Sequence, residues 1–196
     1  TTQRDYDPFE VQVITPQHKG PAGTEVLNHA IQEMLNPDRG QPCIEFGATR
    51  IGTGDKVKQS KNDYTVELEG VGSPGAFNGE VGRVLEIRGD GSDWRMRVDF
   101  GDRIVRYQRN QTGNLGLAYA CSVHAAQGSE VPAAIVVTSM LHRRMWSRQL
   151  LYTALSRTKQ YMWVVGQEAV IESAIRNTTP HERRTGLRER LEQACP

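Results

Sequence analysis

The spacing of apolar and polar positions changes character twice along this chain. At the start, Val11-Gln12-Val13-Ile14 reads as a short buried strand that ends before Pro16. A glycine-rich turn follows, Lys19-Gly20-Pro21-Ala22-Gly23, and Thr24 reads as the N-cap of a helix. Val26, Leu27, Ala30, Ile31, Met34 and Leu35 recur at helical spacing until Asn36-Pro37 stops them. A strand, a loop and a helix in that order form a unit of the α/β kind.

Over residues 47–114 the period becomes two. Trp94, Met96, Val98 and Phe100 alternate with Arg95, Arg97 and Asp99, and Gly101-Asp102 leads into Arg103-Ile104-Val105-Arg106-Tyr107 as a hairpin. Residues 82–87 read as another strand, closed by Gly89-Asp90-Gly91-Ser92-Asp93. Short strands with tight turns predict a small barrel, with Gly70-Val71-Gly72-Ser73-Pro74-Gly75 as a mobile loop. After Leu115 the first pattern returns. Residues 133–137 and 161–165 predict buried strands, the second stopped at Gly166, and residues 143–158 and 168–176 predict helices. The expected organisation is an α/β lobe in two parts, residues 1–46 and 115–180, with a barrel inserted at 47–114. Residues 181–196 form a charged, weakly helical tail.

Composition narrows the possibilities without naming one. Hydrophobic residues make up 37% of 196, low but enough for a core, and the net charge of +1 leaves any nucleic-acid binding to local clusters. Cys43, Cys121 and Cys195 are odd in number, far apart and outside any Cys-x-x-Cys, so neither a metal site nor a disulfide framework is predicted. A reduced, cytoplasmic setting fits this cysteine usage. No apolar run approaches the ~20 residues of a membrane helix, and no secretory signal opens the chain. The first residue is Thr1, which reads as a piece of something larger or as a processed end.

Two stretches carry chemistry. Leu117-Ala118-Tyr119-Ala120-Cys121-Ser122-Val123-His124-Ala125-Ala126-Gln127-Gly128-Ser129-Glu130 runs from an apolar strand into a polar loop. Leu150-Leu151-Tyr152-Thr153-Ala154-Leu155-Ser156-Arg157-Thr158-Lys159 puts an arginine on the predicted helix. In this order they resemble the last two motifs of superfamily 1 DNA helicases, above all the RecD-like branch. The opening Thr15-Pro16-Gln17-His18-Lys19-Gly20-Pro21 resembles that family's preceding motif. The pieces Gly54-Asp55-Lys56-Val57-Lys58-Gln59, Lys61-Asn62-Asp63-Tyr64 and Phe77-Asn78-Gly79-Glu80-Val81-Gly82 look like the edges of its inserted barrel. The match runs over residues 11–175. It implies a RecA-like parallel-sheet lobe of the P-loop NTPase type, here without its own P-loop, carrying an SH3-like barrel.

The resemblance also implies roles. Arg157 would be an arginine finger, since a guanidinium spreads its charge over two phosphate oxygens; the competing reading is a surface arginine. Gln127, Gly128 and Glu130 would lie on the nucleotide side, Gly128 near phosphates and Glu130 near the ribose; a plain glycine turn competes. Lys19 would approach the γ-phosphate, or is a solvated loop lysine. Ser122 matches a family threonine on single-stranded DNA, and His124 joins it or is structural. The family often has Lys-Ser where this chain has Ala125-Ala126, which removes a phosphate contact. Lys56, Lys58 and Lys61 with Asn62 and Tyr64 make a basic stretch with one aromatic, suited to a single-strand groove or to edge protection.

No Gly-x-x-x-x-Gly-Lys-(Ser/Thr) occurs: Gly47-Ala48-Thr49-Arg50-Ile51-Gly52 has the glycines but continues Thr53-Gly54. No Asp-Glu pair follows an apolar strand to hold a metal. ATP and Mg2+ would therefore be held mainly by a first lobe outside these residues, and neither is expected in this chain alone. The expected partners are single-stranded DNA, that N-terminal RecA-like lobe and subunits of a nuclease or repair complex, with no membrane. The family implies 5′ to 3′ movement. The competing class is a non-enzymatic nucleic-acid-binding or protein-interaction module that kept the scaffold and lost the motor.

Overall fold

The computed structural model describes residues 6–38, 43–46, 49–70, 75–89, 93–178 and 190. The chain opens with β1 (Val11–Thr15), α1 (Thr24–Leu35) and a hairpin of β2 (Ile44–Phe46) and β3 (Thr49–Ile51). Six strands follow: β4 (Lys56–Gln59), β5 (Glu67–Glu69), β6 (Val81–Arg88), β7 (Arg95–Asp99), β8 (Ile104–Gln108) and β9 (Leu115–Leu117). The chain then runs β10 (Ala120–Ser122), β11 (Val131–Thr138), α2 (Arg148–Leu155), β12 (Thr158–Gly166) and α3 (Glu168–Arg176).

Two sheets result. The first is wholly parallel, in the order β10-β1-β11-β12. Its core joins Ile14, Ala134 and Val136 with Val123 and Ala126 of the next loop, Trp146, Leu151 and Ala154 around α2, and Val170 and Ala174 of α3. The second is antiparallel, in the order β5-β8-β7-β6-β4-β9. The period-two pattern buries Val84, Met96, Val98, Val105 and Tyr107 on its inner face. Gly82 lets two strands close, because a Cβ there would stand 2.7 Å from the Asp99 carbonyl oxygen. The predicted barrel is an open sheet among the described residues: β5 and β9 are its edges and no ladder joins them. β9 also carries this sheet beyond Asn114.

Three local expectations are corrected. Gly23, not Thr24, caps α1, without a side-chain bond. The helix expected over 143–158 begins only at Arg148, where the Ser147 hydroxyl accepts the Leu150 N–H. Its apolar spacing runs on across a separate 3-10 turn, Met140–Met145. Arg157 therefore lies in the short turn between α2 and β12, not on a helix. Third, α1 is turned so that only Leu27 and Ile31 of its expected apolar face stay half-buried. Val26, Met34 and Leu35 are exposed, whereas Thr24, Asn28 and Gln32 are buried. Asn28 exchanges two hydrogen bonds with the backbone of Ala120, 3.0 and 2.8 Å, and so occupies the free edge of β10 as a strand would. The expected mobile loop at 70–75 falls mostly outside the described residues, as does the tail 181–196 apart from Arg190. Among the described residues no helix is long and apolar enough to cross a membrane.

Asp55 ties the two sheets together. Fully buried, its carboxylate accepts from Gln32 Nε2 (2.6 Å), Asn36 Nδ2 (2.8 Å), the Gly52 N–H (2.9 Å) and the Tyr119 hydroxyl (2.9 Å). Asp55→Ala strands several of these donors away from water. It should lower unfolding free energy by about 3 kcal/mol or more, at ~1–3 kcal/mol per orphaned group, as read from urea melts. A loss under about 1 kcal/mol means the network is not the tie.

Candidate functional site

The segment between β10 and β11 carries the first motif from one end of the parallel sheet to the other. Ser122 closes β10 beside Thr15, at the carboxyl ends of the strands. Glu130 immediately precedes β11 and Arg157 immediately precedes β12, at the amino ends. Across an eight-residue strand those ends lie about 25 Å apart, at ~3.3 Å per residue.

At the carboxyl end, Ser122 is buried and its hydroxyl accepts the Ala125 N–H at 3.2 Å, so it braces the loop from beneath. His124 is exposed. The loop after β1 lies at this end too, with Lys19 exposed and Gly20 set against His142 Nε2. His142 is buried, and burial lowers its pKa. Lys19 is therefore not brought to Arg157, as a γ-phosphate role would require.

At the amino end, Arg157 is half-buried and folded onto its own lobe. Its Nε donates to the Thr153 carbonyl at 3.1 Å, Nη2 to the Ser156 hydroxyl at 3.0 Å and Nη1 to the Ser129 carbonyl at 3.5 Å. Glu130 pairs with Lys159 at 3.2 Å, both largely exposed, which holds it weakly. Gln127 is exposed. Gly128 has φ +84° with nothing within 4 Å of where a Cβ would stand, leaving its backbone open to a close neighbour. The N–H groups of Ala125, Ala126, Gln127 and Ser129 all bond back within the loop. The donor set thus fits a supporting role towards a nucleotide, with a guanidinium and a carboxylate on an open rim. It does not form a phosphate cradle.

A cavity of about 360 Å3 opens beside these groups. Gln12 and Ile14 line it from the parallel sheet, Lys56 and Lys58 from β4, and Glu130 and Arg157 from the motifs. A larger hollow of about 570 Å3 lies on the inserted sheet, but Arg88, Arg97 and Arg106 in its wall are tied to Glu69 and Glu86 and no motif residue lines it.

The basic stretch is divided by the fold. Lys56 is buried, and its Nζ donates to the carbonyls of Phe9 (3.0 Å) and Val11 (2.9 Å). Burial pulls its pKa down to about 8. Lys58 faces the cavity. Lys61, Asn62 and Tyr64 are exposed around a corner, where Asn62 bonds the Tyr64 hydroxyl (3.3 Å) and the Asn78 N–H (2.8 Å). Gly79, next to Asn78, returns to the cavity wall, so the two groups share one rim. Tyr64 stands edge-on to Phe77 at 6.0 Å, and the Arg103 guanidinium lies 5.2 Å from that ring. Phe77 and Arg103 were missed from the sequence, where nothing joins them to Tyr64. Cys121 borders the cavity, with burial pushing its thiol up to about 11, which leaves it unreactive. Among the described residues no three His, Cys, Asp or Glu side chains gather to hold a metal.

Known proteins share this arrangement. Residues 27–100 match the family model described as the ATP-dependent RecD-like DNA helicase SH3 domain, and residues 117–165 match the UvrD-like helicase C-terminal domain. The ATP-dependent RecD2 DNA helicase of Deinococcus radiodurans is 38% identical over 94% of this chain. The RecBCD enzyme subunit RecD of Mycolicibacterium smegmatis is 30% identical over 94%. The chain spans 24% and 30% of those two proteins. In fold it is similar to a Pif1 helicase from Bacteroides solved with ADP-AlF3 and single-stranded DNA (TM-score 0.55, 16% identity, 93% of this chain and 44% of that one).

Lys56 gives the junction a pH signature. Its folded pKa of about 8 lies below the ordinary 10.5, so between these values the unfolded chain holds more protons and stability rises with pH. Below pH 8 the full cost of the buried ammonium remains. Wild type should therefore gain stability relative to Lys56→Met from pH 8 to pH 10, measured by urea melts at each pH. Parallel curves would place the lysine in water.

Proposed function

Because the chain belongs to the RecD-like superfamily 1 helicases, as a C-terminal region of longer proteins, we propose that it is the second motor lobe of an ATP-dependent DNA helicase. The observation that carries this reading is the gathering of Arg157, Gly128 and Glu130 at one end of the parallel sheet, with Ser122 and His124 at the other. One loop joins the two groups. ATP with Mg2+ supplies the energy when bound, mainly on a first lobe. Towards it, Arg157 offers the finger guanidinium, Glu130 a carboxylate for the ribose, and Gln127 and Gly128 an open approach. Lys19, at the far end, belongs with the DNA side. Lacking a phosphate loop, the 196 residues alone hydrolyse no ATP. A standalone, non-enzymatic nucleic-acid or protein-binding module would share these 196 residues but come from a parent without a phosphate loop. The RecBCD subunit names among the relatives make a nuclease complex a candidate partner. Relatedness to that branch supports 5′ to 3′ travel.

In the full-length parent, Arg157→Ala should cut ATP turnover by about 10³-fold, the scale of arginine fingers. Folding should survive, since the half-buried guanidinium bonds only to the end of α2 and to neighbouring loop groups and is not part of the core. Arg157→Lys should not restore the rate, because a point charge lacks the planar fork. Steady-state ATPase assays with a melting control decide: near-normal turnover in folded Arg157→Ala removes the central residue.

DNA binding by the isolated chain should be weak and should prefer single strands. Lys58→Ala with Lys61→Ala should flatten the slope of log affinity against log salt by about 1.4, at roughly 0.7 per lost phosphate contact. Fluorescence anisotropy across a salt series reads this. An unchanged slope, or preference for duplex, counts against the rim as the DNA track.

A further inference from the structure

The buried ammonium of Lys56 lacks a counter-charge in contact. It is 2% exposed, and its two hydrogen bonds run to neutral carbonyls, those of Phe9 and Val11. An ammonium carries three N–H groups, so one remains. Asp7, the acid that bears on it, is itself held by Arg83. A buried cation is ordinarily paired.

Two further cations share its cavity. Lys58 stands two residues on along β4, about 6.6 Å away at ~3.3 Å per residue. Among the described residues it makes no hydrogen bond or ion pair. The Cys121 thiol feels the charge of both lysines, so the two converge on one part of the wall. Arg157 gives one N–H each to the oxygens of Thr153, Ser129 and Ser156, all uncharged, and keeps one on each terminal nitrogen. Against these three cations the described lining offers one carboxylate, Glu130, which is paired with Lys159. Apolar Ile14, Leu117 and Val131 lie in the same wall, where charges are screened less than in open water.

Such an excess of charged donors suits an oxyanion. At about 360 Å3 the cavity stands at the small end of ligand sites, roughly 300–1,000 Å3. That is room for a tetrahedral phosphate and a few waters. No ring face is offered to a base: Phe9, the one aromatic of the described lining, already lies against Arg83 and Lys56.

We propose that this cavity is a phosphate site, in which Lys56 and Lys58 of the inserted sheet hold a phosphate oxyanion with Arg157 as the third cation. Two of the three belong to the insert, so the site is separate from a finger's own contact with a nucleotide. Two sources carry the chemistry: inorganic phosphate set free beside Arg157, and a phosphate group of DNA lying along the rim of Lys61 and Tyr64. The sources rest on the reading of the chain as a motor lobe; the binding does not. The anion gives Lys56 its counter-charge and ties the insert to the parallel sheet at a second point besides Asp55.

Melting of the 196-residue chain in inorganic phosphate, against sodium chloride of equal ionic strength, tests this. At about 20 mM phosphate, an affinity of about 1 mM raises the melting temperature by roughly 4–7 °C. Lys58→Ala should melt within about 2 °C of wild type in chloride, since its ammonium has no partner to lose. It should keep less than half of the phosphate shift. Lys56→Met would disturb the strap, so Lys56 is read directly. In wild type labelled with 15N-lysine, its ammonium resonance should move with added phosphate, while that of Lys19, at the far end of the sheet, stays. The proposal is overturned by no shift beyond chloride or by a still Lys56 resonance. An equal gain in Lys58→Ala marks a general salting effect and overturns it too. A single-stranded oligonucleotide that moves the Lys56 resonance and displaces phosphate assigns the site to the DNA backbone. One that does neither assigns it to inorganic phosphate. None of these readouts needs ATP turnover. An inactive parent with a phosphate-binding lobe sinks the motor reading alone, and an active parent whose lobe ignores phosphate sinks this one alone.

Discussion

The buried carboxylate of Asp55 is the constraint on which the rest of the arrangement hangs. A carboxylate removed from water is tolerated only with its lone pairs filled. The four donors that fill them come from three places: Gln32 and Asn36 at the end of α1, Gly52 in the turn before β4, and Tyr119 ahead of β10. These groups cannot drift apart without exposing the charge. The inserted sheet is thereby fixed against the parallel one, although covalently it is only a long loop between α1 and β10. Burial, with Asp55 behind it, raises the Tyr119 hydroxyl well above the ordinary phenol range, so it stays a donor at any physiological pH.

That anchoring has a consequence for the motifs. Tyr119 immediately precedes β10 and Ser122 ends it, so the network that fixes the insert also fixes the point from which the Ser122–Glu130 segment departs. The segment then crosses the sheet, with Val123 and Ala126 buried as its two footings. Its carboxyl-end residues face the loop after β1, and its amino-end residues face Arg157 and the cavity under β4. The two ends are joined by a short loop whose backbone N–H groups at Ala125, Ala126, Gln127 and Ser129 bond within it. Such a layout suits a lobe whose two ends answer to different ligands.

Much of this was legible in the sequence, and the exceptions have identifiable causes. Strand and helix positions followed from periods of two and 3.6, and α3 was placed to the residue. The face of α1 was not, because its apolar stripe of Val26, Met34 and Leu35 points outward while Asn28 and Gln32 serve backbone and carboxylate partners about 92 and 23 residues away. The helix expected to carry Arg157 ends at Leu155 and begins only at Arg148, since apolar spacing continues through a 3-10 turn and cannot show a break. Lys19 and Arg157 looked like neighbours in role, yet the sheet puts a strand's length between them. Lys56 looked like one of three surface lysines. Alternation along β4 does not warn of its burial, because Asp55, Lys56 and Val57 are all buried where a strand is covered on both faces. For α1 and Lys56 the missing information is a long-range polar contact, which leaves no periodic trace.

The same reasoning explains why Lys56 is a lysine. The chain entering β1 turns sharply at residues 7–10 and presents the carbonyls of Phe9 and Val11 to β4, with no strand partner there to take them. An apolar residue would leave two part-buried acceptors without this partner, each costing at most roughly 1–3 kcal/mol. An ammonium on a long stem reaches both, and Asp7, held by Arg83 at 2.8 Å, stands near enough to favour its charge. The Phe9 ring lies against the same two cations, 4.3 Å from Arg83 and 5.5 Å from Lys56. The entry strap is therefore clasped to the insert by charge from above and by hydrogen bonds from below, and it is the strap, through Tyr6, that touches β12. Insert, entering chain and sheet edge form one continuous set of contacts, so the edge strand cannot be rearranged without disturbing the clasp that holds the cavity wall.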